Sequence, residues 1–292
     1  MALTTGVSLD VLVGGPADAP PVIFLHGFPE SSRTWRAQLE ALGRDYRVVA
    51  PDQRGYASSD KPRGVINYRI NALVADVTAL ADALGFERFA LAGHDWGGAV
   101  AWAVALKHPE RVSRLIIANG PHPHVFQARL FTDLKQRHAS QYIVQHQQPA
   151  AAALIRRNGL EAFYDQDFAR HFDGPVPPPE REKYLDEWSR DGALEAMLNW
   201  YAASPLVAPP PGRDVSPPDW LNRPFPKTRM PVLAIWGERD KALLVEQLED
   251  LGDHVPDLTI VRLDTGHFVT WEAPEAVTRT IHEFLARSPR AA

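Results

Sequence analysis

The stretch Phe89-Ala90-Leu91-Ala92-Gly93-His94-Asp95-Trp96-Gly97-Gly98-Ala99-Val100-Ala101-Trp102 decides how this chain is read. A short apolar run of strand length meets a glycine, and a second apolar run follows two further glycines. The pattern is strand, sharp turn, helix. A turn this tight strains its middle residue, and glycines on either side relieve the crowding. Asp95 is thereby displayed at the carboxyl end of a strand and the start of a helix, where backbone N–H groups stabilise negative charge. An aspartate can hold such a place simply as a helix cap. Its partners elsewhere in the chain decide.

Around this turn, short apolar runs alternate with amphipathic stretches. Val22 to Leu25, Tyr46 to Ala50, Leu115 to Ala118, Val232 to Trp236 and Leu258 to Leu263 read as strands. Residues 33–42, 67–84, 96–108 and Pro274 to Ala286 read as helices, with Pro109 ending the third of these. The alternation predicts an α/β fold, a mostly parallel sheet with helices on both faces. Between Asn119 and Val232 the pattern changes to helix-like segments without strands. Of the 26 prolines, 12 fall between Pro175 and Pro226, including Pro177-Pro178-Pro179 and Pro209-Pro210-Pro211, and such runs do not sit in a central sheet. The expected organisation is a core formed by residues 1–120 and 226–292, interrupted by one mainly helical insertion over 121–225.

Composition narrows the function classes. The 292 residues carry a net charge of −5 with no basic run, which argues against nucleic acid or an anionic membrane as partner. Cysteine is absent, so disulfides, thiolate catalysis and cysteine-ligated metals are excluded. The first residues, MALTTGVSLDVLV, have no basic start and no long apolar run, and the expectation is a cytoplasmic protein. Oligomeric state leaves no mark on the sequence.

The residue type at position 95 points to a reaction. An unperturbed aspartate has a pKa of ~3.9 and is ionised at neutral pH without a base. A carboxylate attacking an sp³ carbon makes an ester, which water can then cleave at its carbonyl. Serine would make an ether, a dead end. Substitution at saturated carbon is favoured over ester or amide cleavage.

Enzymes built on such a turn place their acid and then their histidine after the nucleophile. Here Trp236-Gly237-Glu238-Arg239-Asp240 and Asp264-Thr265-Gly266-His267-Phe268 each follow a strand, at the sheet end where ligands bind. Asp240 would orient His267, and His267 would draw a proton from water. Glu238 and Asp264 compete for the acid role. Asp264, three residues from His267, is better suited to shaping the turn, and the loop position favours Asp240. His94, beside the turn, reads as a packing residue. His26-Gly27-Phe28-Pro29 follows the first core strand, so the N–H of Phe28 can face the turn. With the N–H of Trp96 it supplies two donors for an oxyanion.

With these residues assembled, the chain resembles the epoxide hydrolase branch of the α/β-hydrolase superfamily. The likeness rests on His26-Gly27-Phe28-Pro29-Glu30-Ser31, Gly93-His94-Asp95-Trp96-Gly97-Gly98 and Gly266-His267, and covers about 22–120 and 230–286. Pro51-Asp52-Gln53-Arg54-Gly55-Tyr56 also matches a family segment, with a structural role. The resemblance implies an α/β-hydrolase fold with a helical cap. It also implies a small-molecule epoxide and water as reactants, a covalent aspartyl ester, and no cofactor or metal. It further implies two cap tyrosines that donate hydrogen bonds to the epoxide oxygen. Leu198-Asn199-Trp200-Tyr201 is similar to the second tyrosine site and Ser140-Gln141-Tyr142 to the first, with Tyr164 and Tyr184 competing for the latter role. Haloalkane dehalogenases share the aspartate and Trp96, but Phe28 stands where they often place a second halide ligand. A catalytically silent binding protein on the same fold would have little use for Asp95, Asp240 and His267 together.

Overall fold

A computed structural model describes residues 1–174, 178–213 and 215–287. Among them seven strands form one sheet: β1 (Val11–Gly14), β2 (Pro21–Leu25), β3 (Arg47–Pro51), β4 (Phe89–His94), β5 (Val112–Ala118), β6 (Val232–Gly237) and β7 (Leu258–Leu263). Their order is β1-β3-β2-β4-β5-β6-β7, and every neighbouring pair is parallel except β1 with β3. The chain goes from β2 to β3 on one side, then returns to place β4 on the other. The order therefore reverses at β2/β4, and the loops leaving these two strands face a common crevice.

Alternation along the strands explains burial on both faces. Ile23 and Leu25 of β2, Val49 of β3 and Leu91 of β4 point to one core layer. It is filled by α2 (Ile70–Ala83) and α3 (Trp96–Lys107). Val22, Phe24, Val48, Ala50, Ala90 and Ala92 point to the other. There α1 (Arg36–Leu42) and a C-terminal helix at Pro274–Ala286 pack against one another and the sheet. The sequence reading gives β1 no strand. Its Leu12 and Val13 are exposed at the sheet edge, so it lacks the buried pattern by which the other strands are recognised.

The connection between β5 and β6 is helical among the described residues. It comprises α4 (Pro123–Thr132), α5 (Leu134–Ala139), α6 (Gln141–His146), α7 (Ala151–Asn158), α8 (Leu160–Phe163), α9 (Pro178–Ser189) and α10 (Ala193–Ala202), with a wider π turn at Tyr164–Phe168 and a tighter 3₁₀ turn at Ala169–His171 between α8 and α9. Pro178 opens α9, a position that needs no backbone donor. Pro175 and Pro177 lie outside the described residues, and Pro209 to Pro211 run through a segment with neither helix nor strand. Indole donors stitch this layer to the core: Trp188 Nε1 donates to the carbonyl of Pro29 at 2.8 Å, and Trp200 Nε1 to that of Arg54 at 3.0 Å. The segment around Arg54 is structural. Its guanidinium forms a buried two-point pair with Asp76 at 2.7 and 2.6 Å. After β7 the chain forms α11 (Val269–Glu272) and α12 (Pro274–Ala286). No helix among the described residues is long and apolar enough to cross a membrane.

Candidate active site

Asp95 joins β4 to α3 with φ +50° and ψ −119°, a conformation that costs a non-glycine residue about 1–3 kcal/mol and persists only where its surroundings impose it. The surroundings are tight. A Cβ at Gly97 would lie 2.3 Å from the carbonyl oxygen of Leu25, so only glycine lets the first turn of α3 sit against β2. The same reasoning holds across the crevice, where a Cβ at Gly27 would come within 2.5 Å of the Asp95 Cβ. Glycine there brings the loop after β2 onto the carboxylate. The Phe28 N–H donates to Asp95 Oδ1 at 2.8 Å, and the Trp96 N–H also donates to this carboxylate. The two donors expected from the sequence converge on it.

His267 stands opposite. Its Nε2 lies 3.6 Å from Asp95 Oδ2, and its Nδ1 is 2.7 Å from Asp240 Oδ2. The rival acids point elsewhere: the exposed Asp264 pairs with Arg239, and Glu238 faces Arg262 at 3.6 Å. The Asp240 side chain is completely enclosed. Its Oδ1 accepts from the N–H groups of Ala242 and Leu243 at 2.8 and 2.9 Å, while Oδ2 also accepts from Asn119 Nδ2 at 2.6 Å. Burial alone would raise this carboxyl, but the His267 ring and these donors outweigh it and hold Asp240 below the ordinary range. Burial opposes charge on His267 too, yet Asp240 and then Asp95 push it up to about 9. At Asp95 burial wins, and the carboxyl is raised despite the help of His267, His94 and the two N–H donors.

Two supports are not legible in the sequence. Asn119, with φ +38°, accepts from the Gly237 N–H through Oδ1 at 2.9 Å while its Nδ2 holds Asp240. It ties the end of β5 to the loop after β6. Asn119→Ala should lower stability by about 1.5–3 kcal/mol, the cost of removing a partner from a buried charged acceptor. Urea denaturation measures it, and an unchanged midpoint would show that Asp240 is held without Asn119. The second support is His94, which the sequence reading treats as packing. Its Nε2 donates to the His267 carbonyl at 3.0 Å and its Nδ1 meets Glu30 Oε2 at 2.8 Å, all fully buried. Burial pulls the Glu30 carboxyl upward, but His94 outweighs it, and Glu30 lies below its ordinary value. Trp271 Nε1 satisfies the other Glu30 oxygen at 3.1 Å. His94 thus links the turn at Asp95 to the backbone of His267.

Above Asp95 the helical layer supplies Tyr142 from α6 and Tyr201 from α10, their ring centroids 6.1 Å apart. Both line the two small cavities, each about 30 Å³, that meet at Asp95. Burial pushes both phenols well above their usual range, so each remains a neutral donor at pH 7. Tyr164 and Tyr184 pack elsewhere, Tyr164 against Phe168 and Trp188, and Tyr184 beneath the Arg33 guanidinium. Neither lines either of these two cavities.

A family profile described as alpha/beta hydrolase fold matches residues 20–274. The chain is 35% identical to the AB hydrolase superfamily protein YfhM of Bacillus subtilis, over 97% of this chain and 96% of that protein. It is 31% identical to human epoxide hydrolase 4, over 98% of this chain and 78% of that one. Among solved structures, one of the novel epoxide hydrolases from metagenomes of hot environments is 45% identical. It superposes with a TM-score of 0.89, covering 98% of this chain and 97% of that one. A point mutant of an epoxide hydrolase from Bacillus megaterium gives 0.85 at 30% identity, covering 98% and 99%. The chain belongs to the α/β-hydrolase superfamily and, within it, to the epoxide hydrolase family.

Proposed function

We propose that this protein hydrolyses epoxides to vicinal diols through an ester on Asp95. The observation that carries the reading is one carboxylate between two backbone donors, a histidine–aspartate pair and two neutral phenols. Residues 121–225 act as a cap that carries Tyr142 and Tyr201 over a core made of 1–120 and 226–292. Asp95 Oδ2 attacks a ring carbon, the carbon–oxygen bond breaks, and the leaving oxygen takes a proton from Tyr201 or Tyr142. The product is a hydroxyalkyl ester, with a tyrosinate beside it. Water then gives a proton to His267 and adds to the ester carbon, while the N–H groups of Phe28 and Trp96 hold the negative charge arriving on Oδ1. Collapse expels the alkoxide, which takes the imidazolium proton. The released Asp95 proton restores the tyrosine.

The charge balance assigns an order to these steps. In the resting site His267 is raised to about 9 and is protonated at neutral pH, with Asp95 among the causes. Ester formation removes the Asp95 charge and lowers the histidine, which gives its resting proton to solvent, stands as a base when water is needed, and regains a proton from solvent when the Asp95 charge returns. Decay of the ester in single turnovers should therefore quicken with pH along an acid limb whose midpoint lies below 9. A rate independent of pH across that range would remove His267 from the base role.

The mechanism is tested by one turnover in ¹⁸O-water with enzyme in excess. Attack on the ester carbonyl puts the heavy oxygen into the Asp95 carboxylate, whereas direct attack of water on the epoxide puts it into the diol. Peptide mass spectrometry of the Asp95 segment reads the outcome, and an unlabelled carboxylate defeats the ester pathway.

A further inference from the structure

The two cavities that meet at Asp95 are walled differently. One includes Trp96, Pro121, Phe126, Leu206 and Leu243, and the other His146, Asp167, Arg170 and His171. The charges of Arg170 and Asp167 oppose one another, so the second wall suits an uncharged polar group. His171 is already engaged. Its Nε2 accepts from Arg170 Nε at 3.1 Å, and its Nδ1 is sealed from open space.

His146 is different. It closes α6 one turn after Tyr142, so both side chains leave the helix on the face toward Asp95. Its ring centroid lies 4.9 Å from that of Tyr201 and 5.2 Å from that of Phe28, and only 7% of the residue is exposed. Burial, and then Arg170, lowers its pKa to about 4, so at pH 7 it is a neutral imidazole with one N–H and one lone pair. No donor or acceptor among the described residues meets either nitrogen, and neither is sealed as His171 Nδ1 is. The nearby amides are spent on the fold: Gln141 Nε2 donates to the Pro209 carbonyl and Gln147 Nε2 to that of Leu206, each at 3.1 Å. Buried polar groups are nearly always paired, so one left open beside a nucleophile calls for an atom of the ligand.

We infer that His146 is a specificity-determining residue whose N–H holds an uncharged oxygen of the substrate, two bonds from the oxirane carbon, while the oxirane sits at Asp95. This rests on the epoxide-hydrolysing reading and names a substrate class, the glycidyl ethers. The imidazole packs on the ring of Tyr201, whose hydroxyl serves the oxirane oxygen in that reading, so it reaches the nearest atoms of the substituent and not its far end.

Butyl glycidyl ether and 1,2-epoxyoctane differ only by an oxygen in place of the fourth carbon, and 2-(4-methoxybutyl)oxirane moves that oxygen to the seventh position. One neutral hydrogen bond is worth about three- to tenfold. The kcat/KM ratio of butyl glycidyl ether to 1,2-epoxyoctane should fall by that factor in His146→Phe, or in His146→Leu where the larger ring prevents folding. The ratio of the methoxybutyl oxirane to 1,2-epoxyoctane should hold. An unchanged first ratio in a folded variant overturns the assignment, and so does an equal fall in both ratios, which reports cavity polarity without a contact. A third result that overturns it is 3,4-epoxybutanoate outrunning both ethers and losing that lead in Arg170→Gln, since the wall would then be an anion receptor. If the wild type turns over no epoxide, the functional reading fails separately. His146 is then judged by calorimetric titration with 3-butoxypropane-1,2-diol and 1,2-octanediol. Tighter binding of the ether diol that is lost in the variant supports the contact, and no preference, or the same preference in both proteins, overturns it.

Discussion

His267→Gln is expected to halt the reaction after one substrate, leaving an ester on Asp95 and raising the intact mass by that substrate. Ring opening needs only the Asp95 carboxylate and a phenolic donor, and Tyr142 and Tyr201 line a cavity with that carboxylate. Hydrolysis needs a group that can accept a proton from water, which an amide cannot do. General bases of this kind contribute about 10²–10⁴-fold, so the second step should slow by that factor and the ester should accumulate. The substitution retains polar atoms that can meet Asp240, which limits the cost of leaving that buried carboxylate without its partner at Nδ1. Rapid mixing followed by intact-protein mass spectrometry reads the result directly. A variant that neither turns over nor gains mass would mean that His267 serves ring opening as well, or has another role altogether.

Much of this site is legible in the sequence because the turn at Asp95 is local. Its glycines answer to close contacts within a few residues and to the ends of the two neighbouring strands, β2 and β5, so the spacing survives as a pattern. The assignment of Asp240 over Asp264 is of the same kind. Asp264 is too near His267 in the chain to approach its ring from the next loop, and the fold sends it out to Arg239. The supports are different. Asn119, Glu30 and His94 owe their roles to pairings across 64 to 241 residues, such as His94 with Glu30 and Glu30 with Trp271. Nothing in their immediate neighbours reports such a pairing. The edge strand β1 escapes the reading for the opposite reason, since exposed apolar residues at a sheet edge look like loop.

The tyrosines lie between these cases. The sequence offers Tyr142, Tyr164, Tyr184 and Tyr201 on helical segments, and which face of each helix meets Asp95 depends on how seven short helices pack. Phe28 bears on one of them. Its ring meets Tyr201 edge-on at 4.9 Å, so the residue that supplies an N–H to Asp95 also packs against the Tyr201 ring. Tyr142 reaches the same junction from α6, with His146 one turn further along packed on both Phe28 and Tyr201.

Replacing Tyr201 by phenylalanine should slow ring opening far more than it weakens substrate binding. The phenol matters most as charge grows on the leaving oxygen, so kcat and kcat/KM for the epoxide should fall together. Loss of a general acid costs about 10²–10⁴-fold, and a second donor on the same oxygen masks part of that. Tyr142→Phe alone should therefore be milder than the pair removed together, and the double variant should be nearly inactive. The pairing follows from the position of both rings at the junction of the two cavities that meet at Asp95. Trp96 strengthens the case at Tyr201, since a hydrogen bond from its side chain makes that phenol a better acid than burial alone would leave it. A bromoalkane supplies the contrast, because bromide leaves without a proton. Any turnover of it should survive Tyr201→Phe, while ester formation from the epoxide, followed by stopped-flow fluorescence under single-turnover conditions, should not. If Tyr201→Phe leaves epoxide turnover intact and halide release dominates in the wild type, Asp95 serves a dehalogenase, and the two phenols shape the cavity without giving up a proton.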